Sequence, residues 1–276
     1  MREIGRWGVI DQKAELYKNI TPYAYAANQP TNAIDPDGKL VIFINGFTGT
    51  TMEQGTQWYW RQYQMQSVPK THSWSALGGF QDNHYEPVQT GRAFDLEVSQ
   101  QLGDENRKYV HGGNIISSGE RKSSGEDQGY SDAPDIIASL HRTGGIIDES
   151  IKFITHSMGG VYGDGYIAGI RKYLDKHPEL KSQVSINLIA DFDPFQANKI
   201  KNDGSVKKQQ FTHKGKGSST GWLANEEEEG PHENNESSTN GSHSIFSFLN
   251  DIKNLQTGTY KWNEKTKKWD LQPKKR

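Results

Sequence analysis

Ile151-Lys152-Phe153-Ile154-Thr155-His156-Ser157-Met158-Gly159-Gly160 is the stretch on which the fold turns. Ile151–Ile154 reads as a short apolar strand. From Gly159 to about Lys176, Val161, Ile167, Ile170 and Tyr173 fall near helical spacing. Val184-Ser185-Ile186-Asn187-Leu188-Ile189-Ala190 then reads as a second strand. Strand, helix and strand with short joins make a βαβ unit, and its crossover implies parallel strands. The fold class read here is α/β, a mostly parallel sheet flanked by helices. Between the first strand and the helix a single serine, Ser157, stands in a turn with the small residues Thr155 and Gly159 on either side.

Working outward, Leu40-Val41-Ile42-Phe43-Ile44 is another β-rich run, followed by the loop Asn45-Gly46-Phe47-Thr48-Gly49-Thr50. Residues 57–80 are crowded with Trp58, Tyr59, Trp60, Tyr63, Trp74 and Phe80, and have two readings. They line an acyl pocket or form a lid, or they are a helix and loop packed on the sheet. A short helix is expected over 93–102, a Gly/Ser-rich loop over 108–130 and a helical pattern over 133–141. Gly112-Gly113 and Gly144-Gly145 read as turn signals. Residues 213–242 are polar and of low complexity, with four consecutive glutamates, and are expected not to order themselves. A short helix over 244–255 and a hairpin from Tyr260-Lys261-Trp262 and Lys268-Trp269-Asp270-Leu271 complete the reading. Residues 1–38, rich in Tyr, Asn, Ala and Pro, close on the turn Asp35-Pro36-Asp37-Gly38.

Composition narrows the chemistry. With no cysteine among 276 residues, disulfides, a thiolate nucleophile and a cysteine-based zinc site are excluded. Lys+Arg 32 against Asp+Glu 34 leaves a formal charge of -2, so no global field favours nucleic acid as a partner. No metal cluster or phosphate-binding glycine loop stands out, and no cofactor is expected. The opening MREIGRWGVID has no apolar core of a secretory signal, so export is expected to depend on something else.

The segment Thr155-His156-Ser157-Met158-Gly159 resembles the nucleophile elbow of the α/β-hydrolases, G-x-S-x-G, with Thr155 in place of the first glycine. That resemblance implies Ser157 as nucleophile, with the Met158 amide as one donor to the oxyanion. Asn45-Gly46-Phe47 resembles the family's oxyanion loop, though the commoner form begins with His, and implies the Phe47 amide as second donor. The acid follows the next strand in that family. Asp191-Phe192-Asp193-Pro194 lies there, and Asp193 is preferred because a pre-proline residue is held extended, with Asp191 the alternative. Of the later histidines, His213 and His232 lie at or within the low-complexity stretch, whereas His243 stands where an apolar helix begins. His243 is the candidate base, with His232 the alternative. His156 is read as structural, its side chain turned away from the site. Against all this stands an ordinary strand-to-helix turn in a non-catalytic α/β domain.

Residues 5–38 resemble the C-terminal end of the RHS-repeat-associated core of bacterial polymorphic toxins. Gly5-Arg6-Trp7, Asp11, Pro22-Tyr23, Tyr25-Ala26 and Asp35-Pro36-Asp37-Gly38 carry the likeness. Asp11-Gln12 replaces an earlier Asp-Pro, and Lys39 follows the closing glycine where Leu is common. The organisation expected is therefore an RHS-core segment over 1–38 and an α/β-hydrolase toxin domain over 39–276. The two resemblances together imply an antibacterial effector: a lipase- or phospholipase-like serine esterase acting on membrane lipids. They also imply an RHS shell in the full carrier, a cognate immunity protein, and delivery into a target cell. The rivals are a non-enzymatic toxin or interaction module, and an amidase or thioesterase of the same fold.

Overall fold

A strand apolar on both faces must be covered on both, and β1 (Lys39–Asn45) meets that requirement in the computed structural model. Leu40, Ile42 and Ile44 point into one buried cluster, Val41 and Phe43 into another. The structure describes residues 39–48, 57–69, 83–213, 226–237, 243–256 and 258–273. The chain divides into a unit of Met1–Gly38, outside those residues, and a unit of Lys39–Arg276. The RHS-like segment therefore has no structural account here.

After β1 come a 3-10 turn (Gln57–Trp60), the antiparallel pair β2 (Arg61–Pro69) and β3 (Asn83–Ala93), α1 (Phe94–Leu102) and β4 (Arg107–His111). Next are α2 (Ser118–Ser139), the small pair β5 (Arg142–Thr143) and β6 (Ile146–Ile147), β7 (Ser150–His156) and α3 (Gly159–Asp175). The chain continues through α4 (Pro178–Lys181), β8 (Ser185–Phe192), β9 (Lys208–Thr212) and β10 (Glu233–Glu236). It ends in two 3-10 turns (Ile245–Phe248, Ile252–Asn254) and the hairpin of β11 (Tyr260–Asn263) and β12 (Lys268–Leu271).

Six strands form one sheet in the order β10-β9-β8-β7-β1-β4, and every neighbouring pair is parallel. The structure is thus a mixed α/β fold with a parallel sheet flanked by helices. From β1 the chain first adds β4 on one side and later β7 on the other. The carboxyl ends of β1 and β7 therefore flank the point where strand order reverses, the place where open α/β sheets form crevices.

The two faces are closed differently. Helices α2 and α3 supply Ala133, Ile136, Tyr166, Ile167 and Ile170 to one cluster. The other face is covered by Trp60, by Phe94, Val98 and Leu102 of α1, and by Phe248 and Ile252. Helices α2 and α3 nearly touch at the backbone. A Cβ built on Gly165 would lie 1.9 Å from the Lys122 carbonyl oxygen, and one on Gly129 2.1 Å from that of Tyr166.

Two expectations change, and one reading left open is decided in part. Residues 108–130 are not a loop: they contain most of β4 and half of α2. Their glycines and serines have weak helix propensity, and it is the close packing against α3 that secures the helix. The polar stretch 213–242 does not stay outside the fold throughout. Glu233–Glu236 pairs with β9 as an edge strand and Glu228 is buried, while 214–225 and 238–242 lie outside the described residues. In the aromatic segment, Trp60 is fully buried against Phe43 and Phe94, a core residue and not a lid. Residues 70–82, with Trp74 and Phe80, lie outside the described residues.

Candidate active site

Strand β7 ends at His156 and α3 begins at Gly159, so the reversal falls on Ser157 and Met158. Ser157 has φ 57°, a left-handed conformation that costs a side-chain-bearing residue about 1–3 kcal/mol unless its surroundings impose it. They do. The Ser157 amide donates to the Phe192 carbonyl at 3.0 Å, and the Ser157 carbonyl accepts from Gly160 at 3.1 Å and from Phe195 at 3.0 Å. Gly159 is needed because a Cβ there would stand 2.3 Å from the Ile44 carbonyl oxygen. Thr155, in the first small position, donates its hydroxyl to Asp191.

Facing the serine hydroxyl is His243, two residues before the first of the C-terminal 3-10 turns. Its Nε2 is 2.7 Å from Ser157 Oγ, and its Nδ1 is 3.5 Å from Asp193 Oδ2. Asp193 is fully buried just past β8, its amide donating to the Phe211 carbonyl at 2.8 Å. It is not extended, as its place before Pro194 suggested, but has φ 40°. Tertiary bonds to the end of β9 override the pre-proline preference. Burial acts to raise the Asp193 pKa, but contacts with His213 and His243 outweigh it and hold the carboxyl below its ordinary range.

The alternatives fall elsewhere. Asp191 is engaged with Thr155 and with Lys208, whose Nζ lies 3.1 Å from it and 3.1 Å from Glu228. Burial works against the Lys208 ammonium, yet the two carboxyl groups raise its pKa above the ordinary lysine value. His232 precedes β10 and bonds the Gly230 carbonyl at 2.9 Å. Glu233 pairs with Gln209 near the start of β9, so His232 sits at the amino-terminal edge of the sheet, opposite Ser157.

Two histidines take positions the sequence did not suggest. His156 does not turn away: its ring lies 5.0 Å from that of His243, tilted by 34°. The Tyr59 hydroxyl bonds its Nδ1. Burial pulls the His156 pKa from its ordinary 6.5 to about 3, and it raises that of Tyr59, so the neutral ring accepts from a protonated phenol. His213 directly follows β9 and contacts Asp193 twice, through its amide at 3.3 Å and its Nδ1 at 3.0 Å. Its place follows from β9, since a residue just past a parallel strand shares an edge with those past its neighbours, but Lys208–Thr212 did not suggest a strand in the sequence.

On the other side of Ser157, Gly46 comes so close that a Cβ there would lie 2.6 Å from Ser157 Cβ. Asn45 Nδ2 donates to the Gly46 carbonyl at 2.8 Å and contacts His111 Nδ1 at 2.9 Å. Because the peptide unit is planar, holding the Gly46 carbonyl also fixes the direction of the Phe47 N–H. Gly113 presses on the same peptide: its Cβ would fall 2.1 Å from the Gly46 carbonyl carbon. Of the glycine pair read as a turn signal, Gly113 makes this close approach and Gly112 packs against Ile44, Gly159 and Tyr162. Neither the Phe47 nor the Met158 amide donates to another described residue.

No family model, curated protein or solved structure matches this chain. A hydroxyl hydrogen-bonded to an imidazole, a buried carboxylate behind that imidazole and two amides on the adjoining turns that donate to no other described residue suit nucleophilic attack on a carbonyl. Among the described residues no group of three or more His, Asp or Glu is placed to hold a metal ion. No helix among them is long and apolar enough to cross a membrane.

Proposed function

We propose that this chain is a serine hydrolase of the α/β-hydrolase kind, acting on carboxylic esters of membrane lipids. The observation that carries the reading is the 2.7 Å approach of His243 Nε2 to Ser157 Oγ, with Asp193 behind the same ring. Ser157 Oγ attacks the ester carbonyl carbon as its proton passes to His243 Nε2, and Asp193 steadies the imidazolium. The carbonyl oxygen takes up negative charge between the Phe47 and Met158 amides. Collapse breaks the ester C–O bond, and His243 returns the proton to the departing alcohol. Water then repeats the sequence on the acyl-serine and releases the acid.

Support for a lipid substrate comes from exposed apolar side chains on the segments that follow β1 and β4. Phe47 is 64% exposed beside Gly46, and Ile116, three residues beyond Gly113, is 78% exposed. The RHS-like residues 5–38 support the wider role: a toxin carried at the end of an RHS shell, delivered to a target cell and neutralised there by a cognate immunity protein.

The test is labelling of the purified chain with a fluorophosphonate probe, with and without anionic liposomes, beside Ser157→Ala. Labelling of the wild type that is lost in the variant is the expected result. A wild type that stays unlabelled in both conditions, or a variant that labels equally, overturns the reading.

A further inference from the structure

Asp193 is shared by two imidazoles. Its Oδ2 lies 3.0 Å from His213 Nδ1 and 3.5 Å from His243 Nδ1, while its Oδ1 accepts the His213 amide at 3.3 Å. The shorter contacts thus belong to His213. This ring is 1% exposed and packs on Phe248 with centroids 4.1 Å apart, so it cannot swing aside. A proton on Nδ1 is the arrangement that lets His213 donate to the carboxylate. The titratable groups facing Asp193 are His156 at the end of β7, His213 past β9 and His243 before the 3-10 turn.

We propose that His213 is a positioning residue of the site: it anchors the Asp193 carboxylate and preserves its charge. His243 then finds a fixed, ionised acceptor for its Nδ1–H when it takes the proton from Ser157. The inference rests on the roles given above to Ser157, His243 and Asp193. In the resting arrangement the 3.5 Å separation leaves His243 outside good hydrogen-bonding distance of the acid. Once His243 is an imidazolium its attraction to Asp193 strengthens, and a carboxylate already held from the far side does not have to be ordered during the step. His213 touches no reacting atom in this scheme and transfers no proton.

The test compares His213→Leu, His213→Asn and His213→Gln with the wild type, using 4-nitrophenyl butyrate as substrate and the fluorophosphonate probe as a second readout. The leucine removes the donor at similar volume. The asparagine amide stands near the place of Nδ1, and the glutamine amide near that of Nε2. His213→Leu should lower kcat about tenfold or more with KM changed by less than about twofold, as loss of a group that orients a catalytic carboxylate does. His213→Asn should recover most of kcat and His213→Gln should not. Wild-type kcat in His213→Leu overturns the inference. If the leucine variant fails to fold, the asparagine–glutamine pair decides, and equal activity in those two overturns it as well. A wild type that neither labels nor hydrolyses the ester sinks the underlying reading and this inference with it. An active wild type beside an unaffected His213→Leu sinks the inference alone.

Discussion

Lowering the pH from 7 to 5 should cost this protein about 2 kcal/mol of stability through the His156 side chain alone, by linkage of protonation to folding. Burial between Tyr59 and His243 takes the His156 pKa from 6.5 down to about 3. Between those two values the unfolded chain binds the proton and the folded chain does not, so stability rises with pH across the window. The contribution is complete above about 6.5 and fades as pH falls towards 3. At pH 5 the unfolded histidine is protonated and the folded one is not. The penalty is about 1.4 kcal/mol for each of the 1.5 pH units below 6.5. It depends on the unfolded value and hardly changes whether the folded one is 3 or 4. The assay is urea unfolding of wild type and His156→Gln at pH 7 and pH 5. Groups remote from His156 contribute alike in both proteins and cancel, so wild type should lose about 2 kcal/mol more than the variant. Equal losses in the two would refute the claim that His156 is buried and neutral.

Gly46→Ala places a methyl 2.6 Å from Ser157 Cβ, and displacing the proposed nucleophile by a fraction of an ångström should slow fluorophosphonate labelling by about a hundredfold. Labelling at the wild-type rate would mean that the loop and the serine are not in contact. Lys208→Met removes the ammonium held between Asp191 and Glu228, and should cost about 3–5 kcal/mol in urea unfolding, as breaking a buried ion pair does. An unchanged urea midpoint would show that the cluster is open to water.

Much of the site's scaffold was legible because its elements are short apolar runs joined by small residues. β1, β7, α3 and β8 each follow that pattern, and the residues just past those strands gather at one edge of a parallel sheet. Ser157, Asp193 and His243 come together there. What escaped was decided by partners distant in sequence. α2 hides behind its glycines and serines, which are poor helix formers on their own yet allow the backbone contact with α3. β10 is Glu-Asn-Asn-Glu, without a strand-forming residue, and is a strand only because β9 offers it an edge. His213 looked like part of a solvated stretch because Lys208–Thr212, with its lysine and two glutamines, did not read as a buried strand. In the structure all five residues of that strand are buried. Lys208 meets Asp191 and Glu228, while Gln209 and Gln210 find partners around Asn254 and Glu226.

Backbone strain in the loops past β7 and β8 bears on the proposed site. Four non-glycine residues among those described have positive φ: Ser157, Asp193, Gln196 and Lys267. Lys267 belongs to the turn between β11 and β12, where left-handed residues are common. The other three fall within those two loops. If strain at Ser157 is tolerated for the sake of the hydroxyl, removing both should stabilise the fold. Ser157→Gly relieves the left-handed side chain, whereas Ser157→Ala keeps it and loses only the hydroxyl. The glycine variant should therefore be more stable than the alanine variant by about 1 kcal/mol, and both should be dead to the fluorophosphonate probe. Two urea curves measure the difference. An alanine variant as stable as the glycine one would mean that position 157 carries no strain, and that the turn after β7 is ordinary.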